Sequence, residues 1–267
     1  MNILDKIVTT KREETAHRKK AVPVSELQDY PGYKRKCNSL KVELLNRNSS
    51  GIIAEFKRKS PSKGEINFGI DLSGVAKGYA DGGASGLSVL TDSQYFGGSA
   101  GDLMEARKVN QTIPVLRKEF IIDPYQVVES KAIGADVILL IAACLDKSET
   151  EFLAGKAKEL GMEVLLEIHN EDELENLNDY VDFVGVNNRD LKTFIVDIKN
   201  SERLAAYIPG NFVKISESGI EKPDDIIYLK KSGYRGFLIG ETFMKSENPG
   251  IACRNFINEI KLKMNSL

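Results

Sequence analysis

The sequence predicts an α/β fold, a closed (β/α)8 TIM barrel behind an N-terminal helical extension. Three observations carry that expectation. Short apolar, β-branched runs recur along the chain, each followed by a polar turn and then a helical pattern. There are eight such runs, the number at which a parallel sheet of this kind closes on itself. The length, 267 residues, suits one barrel of this type. A body of that size buries about three quarters of the surface its unfolded chain exposes and needs no disulfide or metal staple.

Taken in order, the runs begin near Ile52 (IIAEF), Gly86 (GLSVL), Pro114 (PVLR), Ala135 (ADVILLI), Glu163 (EVLLEI), Asp182 (DFVGV), Asn211 (NFVKI) and Gly236 (GFLIG). An open doubly wound sheet is the alternative, but no GxGxxG follows the first run to mark a dinucleotide site. Between the runs, residues 72–79, 103–108, 124–132, 149–160, 171–177, 201–206 and 224–231 read as helices. Asp123-Pro124 offers an N-cap followed by proline at the first helical position, and Ser148-Glu149 is expected to cap the next helix. Gly134 and Gly161 should end their helices in the left-handed conformation that glycine tolerates. Residues 1–50 precede the first strand and form the extension, and residues 51–267 form the catalytic barrel. Within the extension, residues 2–20 read as a highly charged amphipathic helix with Ile3, Leu4 and Ile7 on one side.

Composition narrows the class of partner. Apolar residues make up 42% and charged residues 28%, and the formal net charge is −2. Nothing in that balance draws the chain to nucleic acid or to an anionic membrane, so an anionic ligand must be held by a local cluster of cations. Cys37, Cys144 and Cys253 are scattered, with no CxxC pair and no metal-ligand spacing, which reads as reduced thiols. No apolar run reaches the length of a membrane span, and residues 1–20 are charged throughout, unlike a signal peptide. A cytoplasmic, monomeric protein without cofactor or metal is the expectation.

Chemistry is expected at the C-terminal ends of the strands, where barrels of this type carry their active sites. Glu55 and Lys57 end the first strand two residues apart and so share a face. Lys118 ends the third strand, Glu167 the fifth, Asn187 with Arg189 the sixth, and Glu217 with Ser218 the seventh. A barrel filled by apolar layers has no structural use for so many ionisable groups at one end, because burying unpaired charge is costly. Ser218-Gly219-Ile220 after the seventh strand and Gly240-Glu241 after the eighth offer a phosphate cradle of backbone N–H groups, to which Ser60 can add a hydroxyl. Only the backbone of Glu241 belongs to that cradle, since its carboxylate repels a phosphate. His169 reads as a rim residue with no Ser or Cys nucleophile beside it, and Asp172 and Asp179 read as helix caps and solvated faces.

These residues resemble a known family. The stretch Ile53-Ala54-Glu55-Phe56-Lys57-Arg58-Lys59-Ser60-Pro61-Ser62 resembles the signature of indole-3-glycerol phosphate synthases. Leu116-Arg117-Lys118-Glu119-Phe120, Glu167-Ile168-His169, Gly185-Val186-Asn187-Asn188-Arg189-Asp190-Leu191, Ser216-Glu217-Ser218-Gly219-Ile220 and the leading Ile3-Leu4-Asp5-Lys6-Ile7 match it in order and spacing. Two positions differ from some members: Glu119 stands where Asp is frequent, and Glu241 where some have Ser. The resemblance implies ring closure of 1-(2-carboxyphenylamino)-1-deoxyribulose 5-phosphate with loss of CO2 and water. It makes Lys118 the acid on the sugar carbonyl oxygen, with a pKa lowered by Lys57 and partial burial. Lys57 would hold the departing carboxylate and assist proton transfer, and Glu167 with Glu55 would serve the dehydration. Asn187 and Glu217 would position the substrate, and Arg189 would orient carboxylates. Ser218, Ser60, Gly219 and Gly240 would hold the phosphate, with Phe96 and Phe120 as the wall for the aryl ring.

Two other readings stand beside this one. A phosphosugar isomerase on the same scaffold leans on an Asp or Cys acid–base pair, whereas this chain presents lysines with glutamates. A non-catalytic phosphosugar-binding barrel keeps the loop glycines but has no need of Lys118 and Glu167, both present here.

Overall fold

A computed structural model describes residues 3–61, 64–67 and 69–266. Ser62 of the first-strand motif and the expected helix start at Asn2 lie outside them. Each of the eight apolar runs is a strand: β1 (Ile52–Phe56), β2 (Gly86–Leu90), β3 (Val115–Lys118), β4 (Val137–Ile141), β5 (Glu163–Ile168), β6 (Phe183–Asn187), β7 (Val213–Glu217) and β8 (Tyr234–Ile239). All neighbours pair in parallel, and β1 joins both β2 and β8, which closes the barrel. After β1, residues 59–60 and 64–65 add a short antiparallel hairpin.

The pleat sorts side chains into two cores. Ile53, Leu116, Leu139, Leu165, Phe183, Ile215 and Leu238 point inward and fill the barrel, whereas the alternate residues pack under the outer helices. Two steps further along the inward face of five strands come Glu55, Lys118, Glu167, Gly185 and Glu217. The apolar layers therefore form the floor on which the polar residues stand.

The extension spans both ends of this barrel. Helix α1 (Ile3–Ala21) lies at the mouth, where Ile3, Leu4 and Ile7 line the cavity. Helices α2 (Val24–Leu27) and α3 (Pro31–Lys34) pack against the helix that follows β3. Helix α4 (Leu40–Leu45) plugs the bottom with Leu40 and Leu44, both buried in the inner core. Gly86 and Gly236, at the lower ends of β2 and β8, leave room for those two leucines.

The outer helices are α5 (Leu72–Asp81), α6 (Ala100–Val109), α7 (Pro124–Ile133), α8 (Lys147–Glu159), α9 (Lys199–Ala205), α10 (Pro223–Lys231), α11 (Glu241–Met244) and α12 (Pro249–Asn265). Asp123 caps α7 as expected, and Gly134 ends it with φ of 100°. Two expectations change. The cap of α8 is Asp146, whose carboxylate accepts the Glu149 N–H while Glu149 returns a bond to the Asp146 N–H. Ser148 sits inside that helix. The helix expected over 171–177 is only a 3-10 turn, Asp172–Asn176, because its run of acidic residues leaves too few apolar side chains for a buried stripe.

Candidate active site

The mouth of the barrel opens into a cavity of about 750 Å³. Of the residues singled out from the sequence, all fourteen line it: Glu55, Lys57, Ser60, Phe96, Lys118, Phe120, Glu167, Asn187, Arg189, Glu217, Ser218, Gly219, Gly240 and Glu241.

Lys118 is the centre of the arrangement. Its Nζ lies 2.6 Å from Glu167 Oε2 and 2.7 Å from Glu217 Oε2, so one ammonium is held between two buried carboxylates. Glu167 also accepts a bond from Asn187 Nδ2 at 3.2 Å. Across the mouth, Lys57 Nζ pairs with Glu55 Oε1 at 2.9 Å, and Ser88 Oγ donates to Glu55 Oε2. Small residues make space for these carboxyl groups. A Cβ on Gly185 would strike the Glu217 carboxylate, and one on Gly240 would strike Glu55.

The charges tune one another. Burial by itself lowers the Lys118 pKa, but Glu167, Glu217 and Glu55 outweigh it and hold the ammonium well above the ordinary lysine value. The lowering expected from Lys57 does not occur, because Lys57 is neutralised by its own partner while Lys118 faces carboxylates. Burial works against ionising Glu167, yet Lys118 and His169 prevail and keep it well below the usual carboxylate range. Glu217 is shifted the other way, since burial and the negative charge of Glu167 together outweigh Lys118. One carboxyl of the pair thus stays ionised while the other takes up a proton far more easily.

The two loops read as a phosphate cradle lie side by side. Ser218 and Gly219 both have positive φ, 68° and 75°. For Ser218 that is an uncommon conformation, and such strain gathers at functional sites. Asn188 Nδ2 fixes the loop by donating to the Ser218 carbonyl at 3.0 Å, and Thr242 Oγ1 ties α11 to it through the Ile220 carbonyl at 2.8 Å. The carboxylate of Glu241 contacts Lys245 at 2.6 Å and Arg189 at 3.9 Å, so neighbouring cations offset its charge. Phe96 and Phe120 stand 6.0 Å apart, ring centre to ring centre, and form an apolar wall.

Two participants, Lys245 and Lys11, escaped the sequence, and a third, His169, was read there only as a rim residue. His169 is mostly buried, with Nε2 3.4 Å from Glu167 Oε1 and Nδ1 3.3 Å from Glu173 Oε2. Its position two residues beyond Glu167 put it on the inward face, and that alternation was the available signal. Lys245 needs the turn of α11 to reach the cavity, which no local pattern reveals. Lys11 of α1 is buried beside Asp92 and Glu119. It occupies the same helical stripe as Leu4, Ile7 and Thr15, so a lysine among apolar positions was its trace.

An eight-stranded parallel barrel with paired lysines and glutamates over an apolar floor defines a barrel enzyme working by acid–base chemistry at its C-terminal mouth. Residues 4–256 match the family described as Indole-3-glycerol phosphate synthase, and the chain belongs to that family. An indole-3-glycerol phosphate synthase of Bacteroides thetaiotaomicron is 46% identical over 260 residues, covering 97% of this chain and 99% of the relative. The enzyme of that name from Caldanaerobacter subterraneus subsp. tengcongensis is 43% identical, again over 97% of this chain and 99% of its own. Indole-3-glycerol phosphate synthase 2 of Ralstonia nicotianae is 43% identical, over 95% and 96% respectively. Among the described residues, no helix is long and apolar enough to cross a membrane.

Proposed function

We propose that this chain closes the indole ring. It converts 1-(2-carboxyphenylamino)-1-deoxyribulose 5-phosphate into indole-3-glycerol phosphate, CO2 and water as a step of tryptophan biosynthesis. The observation that carries this reading is the Glu167–Lys118–Glu217 bracket facing the Glu55–Lys57 pair in one cavity. Ring closure needs an acid, a cation for a carboxylate and a base within one substrate length, and this mouth supplies them.

The aryl carbon bearing the carboxylate attacks the sugar C2 carbonyl, and the oxygen becomes an alkoxide. An alkoxide is far more basic than either carboxylate now holding Lys118. It therefore takes the Lys118 proton although the free ammonium is held tightly. Lys57 binds the substrate carboxylate until the C–C bond to CO2 breaks and its electrons restore the aromatic ring. The remaining steps expel the C2 hydroxyl as water and remove a C1 proton. Glu167, the carboxylate kept ionised, accepts the C1 proton, while the Lys57 ammonium, paired with Glu55 beside the departing hydroxyl, donates the proton with which that hydroxyl leaves as water. Asn187 and Glu217 position the ring nitrogen and sugar hydroxyls, and Arg189 orients the carboxylates. Ser60, Ser218, Gly219, Gly240 and the backbone of Glu241 hold the phosphate, while Phe96 and Phe120 flank the aryl ring. The reading takes the enzyme to act as a monomer. The reading further places the enzyme in the cytoplasm and uses no cofactor, nucleic acid or membrane. It makes residues 51–267 the catalytic barrel and residues 1–50 its extension.

The direct test supplies the carboxyphenylamino-deoxyribulose phosphate to the purified protein and follows indole fluorescence. Its appearance, with release of one CO2 per indole, is the expected result. No indole signal from folded protein overturns the reading.

A further inference from the structure

Lys11 is one of the most completely buried side chains of the protein, with 1% of its surface exposed, although it belongs to a helix otherwise rich in solvated charge. Its Nζ lies 2.6 Å from Asp92 Oδ2, 3.2 Å from Glu119 Oε1 and 2.7 Å from Glu14 Oε2. The first two partners have a second task. Asp92 follows β2, and its Oδ1 accepts the N–H of Tyr95 at 2.6 Å and of Phe96 at 3.0 Å. Glu119 follows β3, and its Oε1 accepts the N–H of Phe120 at 3.0 Å, while Thr91 Oγ1 donates to its Oε2. A single ammonium therefore joins the two carboxylates that fix the backbones of the two facing phenylalanines.

We propose that Lys11 is the positioning residue of the aromatic wall: docked from α1, it clamps the loops after β2 and β3 so that Phe96 and Phe120 present one slot for the substrate's aryl ring. The proposal rests on the ring-closing reading above. The physical cause is repulsion. Asp92 and Glu119 are both buried, and Lys11 is the cation that bridges them. Arg117, 3.8 Å from Glu119, offsets one of the two charges but does not replace that bridge, so without Lys11 the like charges in a poorly solvated place push the loops apart. Each loop carries its phenylalanine with it. Thr10 Oγ1 meets Tyr95 Oη at 2.9 Å, so α1 grips the β2 loop at a second point beside Lys11. Lys11 touches no substrate atom in this account, and its effect passes through Asp92 and Glu119.

The experiment compares Lys11→Met and Lys11→Arg with the unaltered chain in three measurements. Steady-state kinetics should show KM for the aryl substrate rising roughly tenfold or more in Lys11→Met, with a smaller change in kcat. Inhibition by inorganic phosphate should stay within about twofold, because the phosphate cradle lies on other loops. Amide hydrogen exchange, read without any turnover, should speed up by about tenfold at Phe96 and Phe120 and stay unchanged in β5 and β7. Lys11→Arg should recover most of each loss. Should Lys11→Met fold poorly, the double variant Lys11→Met with Glu119→Gln removes one stranded carboxylate and should restore folding while KM stays raised. An unchanged KM overturns the proposal. So does a parallel loss of phosphate inhibition, kcat and Tm, which would mark a purely structural ion pair. No turnover by the unaltered chain overturns the reaction instead, while the exchange data still show whether Lys11 orders the wall.

Discussion

Lys118 sits between an ionised and a readily protonated carboxylate, and the consequences are measurable. Lys118→Met keeps the apolar stem but removes the proton and the charge. It should reduce kcat by roughly 10²–10⁴-fold, the range of general acid catalysis, while leaving inhibition by phosphate unchanged. Near-wild-type turnover would move the acid to Lys57. The same variant strands two buried carboxylates, so the folded-state pKa of each rises above its unfolded value. Stability from a raised pKa is present at low pH and lost as pH climbs through the folded value, so the Tm deficit of Lys118→Met should widen from acid toward neutral pH. A pH-independent deficit would contradict the bracket. Glu217, pushed up to about 7, gives a second test. The pH profile of kcat/KM for the free enzyme should carry a limb near neutrality that disappears in Glu217→Gln, whereas Glu167→Gln should instead slow dehydration and let an intermediate accumulate. A limb that survives Glu217→Gln belongs to another group, and His169 is then the one to examine. The sequence disclosed these residues because strand alternation fixes which side chains share a face. It did not disclose which lysine each glutamate pairs with, since that depends on neighbours from four different strands, and the pKa of Lys118 turned on it.

At the scale of elements, the strands were the most legible part of the chain. Each is a continuous apolar run because both its faces are buried, one in the barrel and one beneath helices. Helix ends were less so. The Asp146-to-Glu149 spacing of a capping box was present in the sequence, yet Ser148 offered a competing cap one residue before Glu149. The acidic stretch Asp172–Asn176 had helix-forming residues without an apolar stripe, and propensity alone yields a single turn there. The loop after β7 shows how a short element carries function. Gly219 holds φ of 75°, and an added Cβ would strike Val196 across the cavity. Gly219→Val therefore both strains the backbone and pushes the β6 loop outward. It should raise KM by about tenfold or more with little loss of Tm, because the loop is a rim and not a core element. An unchanged KM would remove this loop from the phosphate site.

For the whole molecule, the extension divides its work between the two ends of the barrel. At the bottom, Leu44 is buried among inner-core residues and has no contact with the cavity. Leu44→Ala should cost about 2–5 kcal/mol of stability, read as a lower Tm, and leave KM as it was. At the top, α1 lends Ile3, Leu4 and Ile7 to the cavity lining and Lys11 to the loops behind it. Its attachment to the barrel runs through Arg18 with Glu129, Lys19 with Asp123, and Tyr125, whose hydroxyl donates to the Val22 carbonyl. Removing residues 1–31 severs all of these but spares the second anchor. Asp136 still accepts the Asn38 N–H and pairs with Arg35, and Lys131 still donates to the Arg35 carbonyl. The truncated chain should therefore keep a closed barrel, with far-ultraviolet circular dichroism reduced only by the loss of α1 and α2, and a cooperative melt at a reduced Tm. Substrate binding should suffer more. The cavity loses its apolar cover, water reaches the bracket, and Asp92 and Glu119 lose the Lys11 ammonium that bridges them. KM should rise by more than ~10-fold, whereas phosphate inhibition, which depends on loops at the opposite rim, should change far less. If Tm and KM instead deteriorate together and phosphate inhibition vanishes with them, the top of the extension serves stability as the bottom does. The division between the two ends would then be wrong.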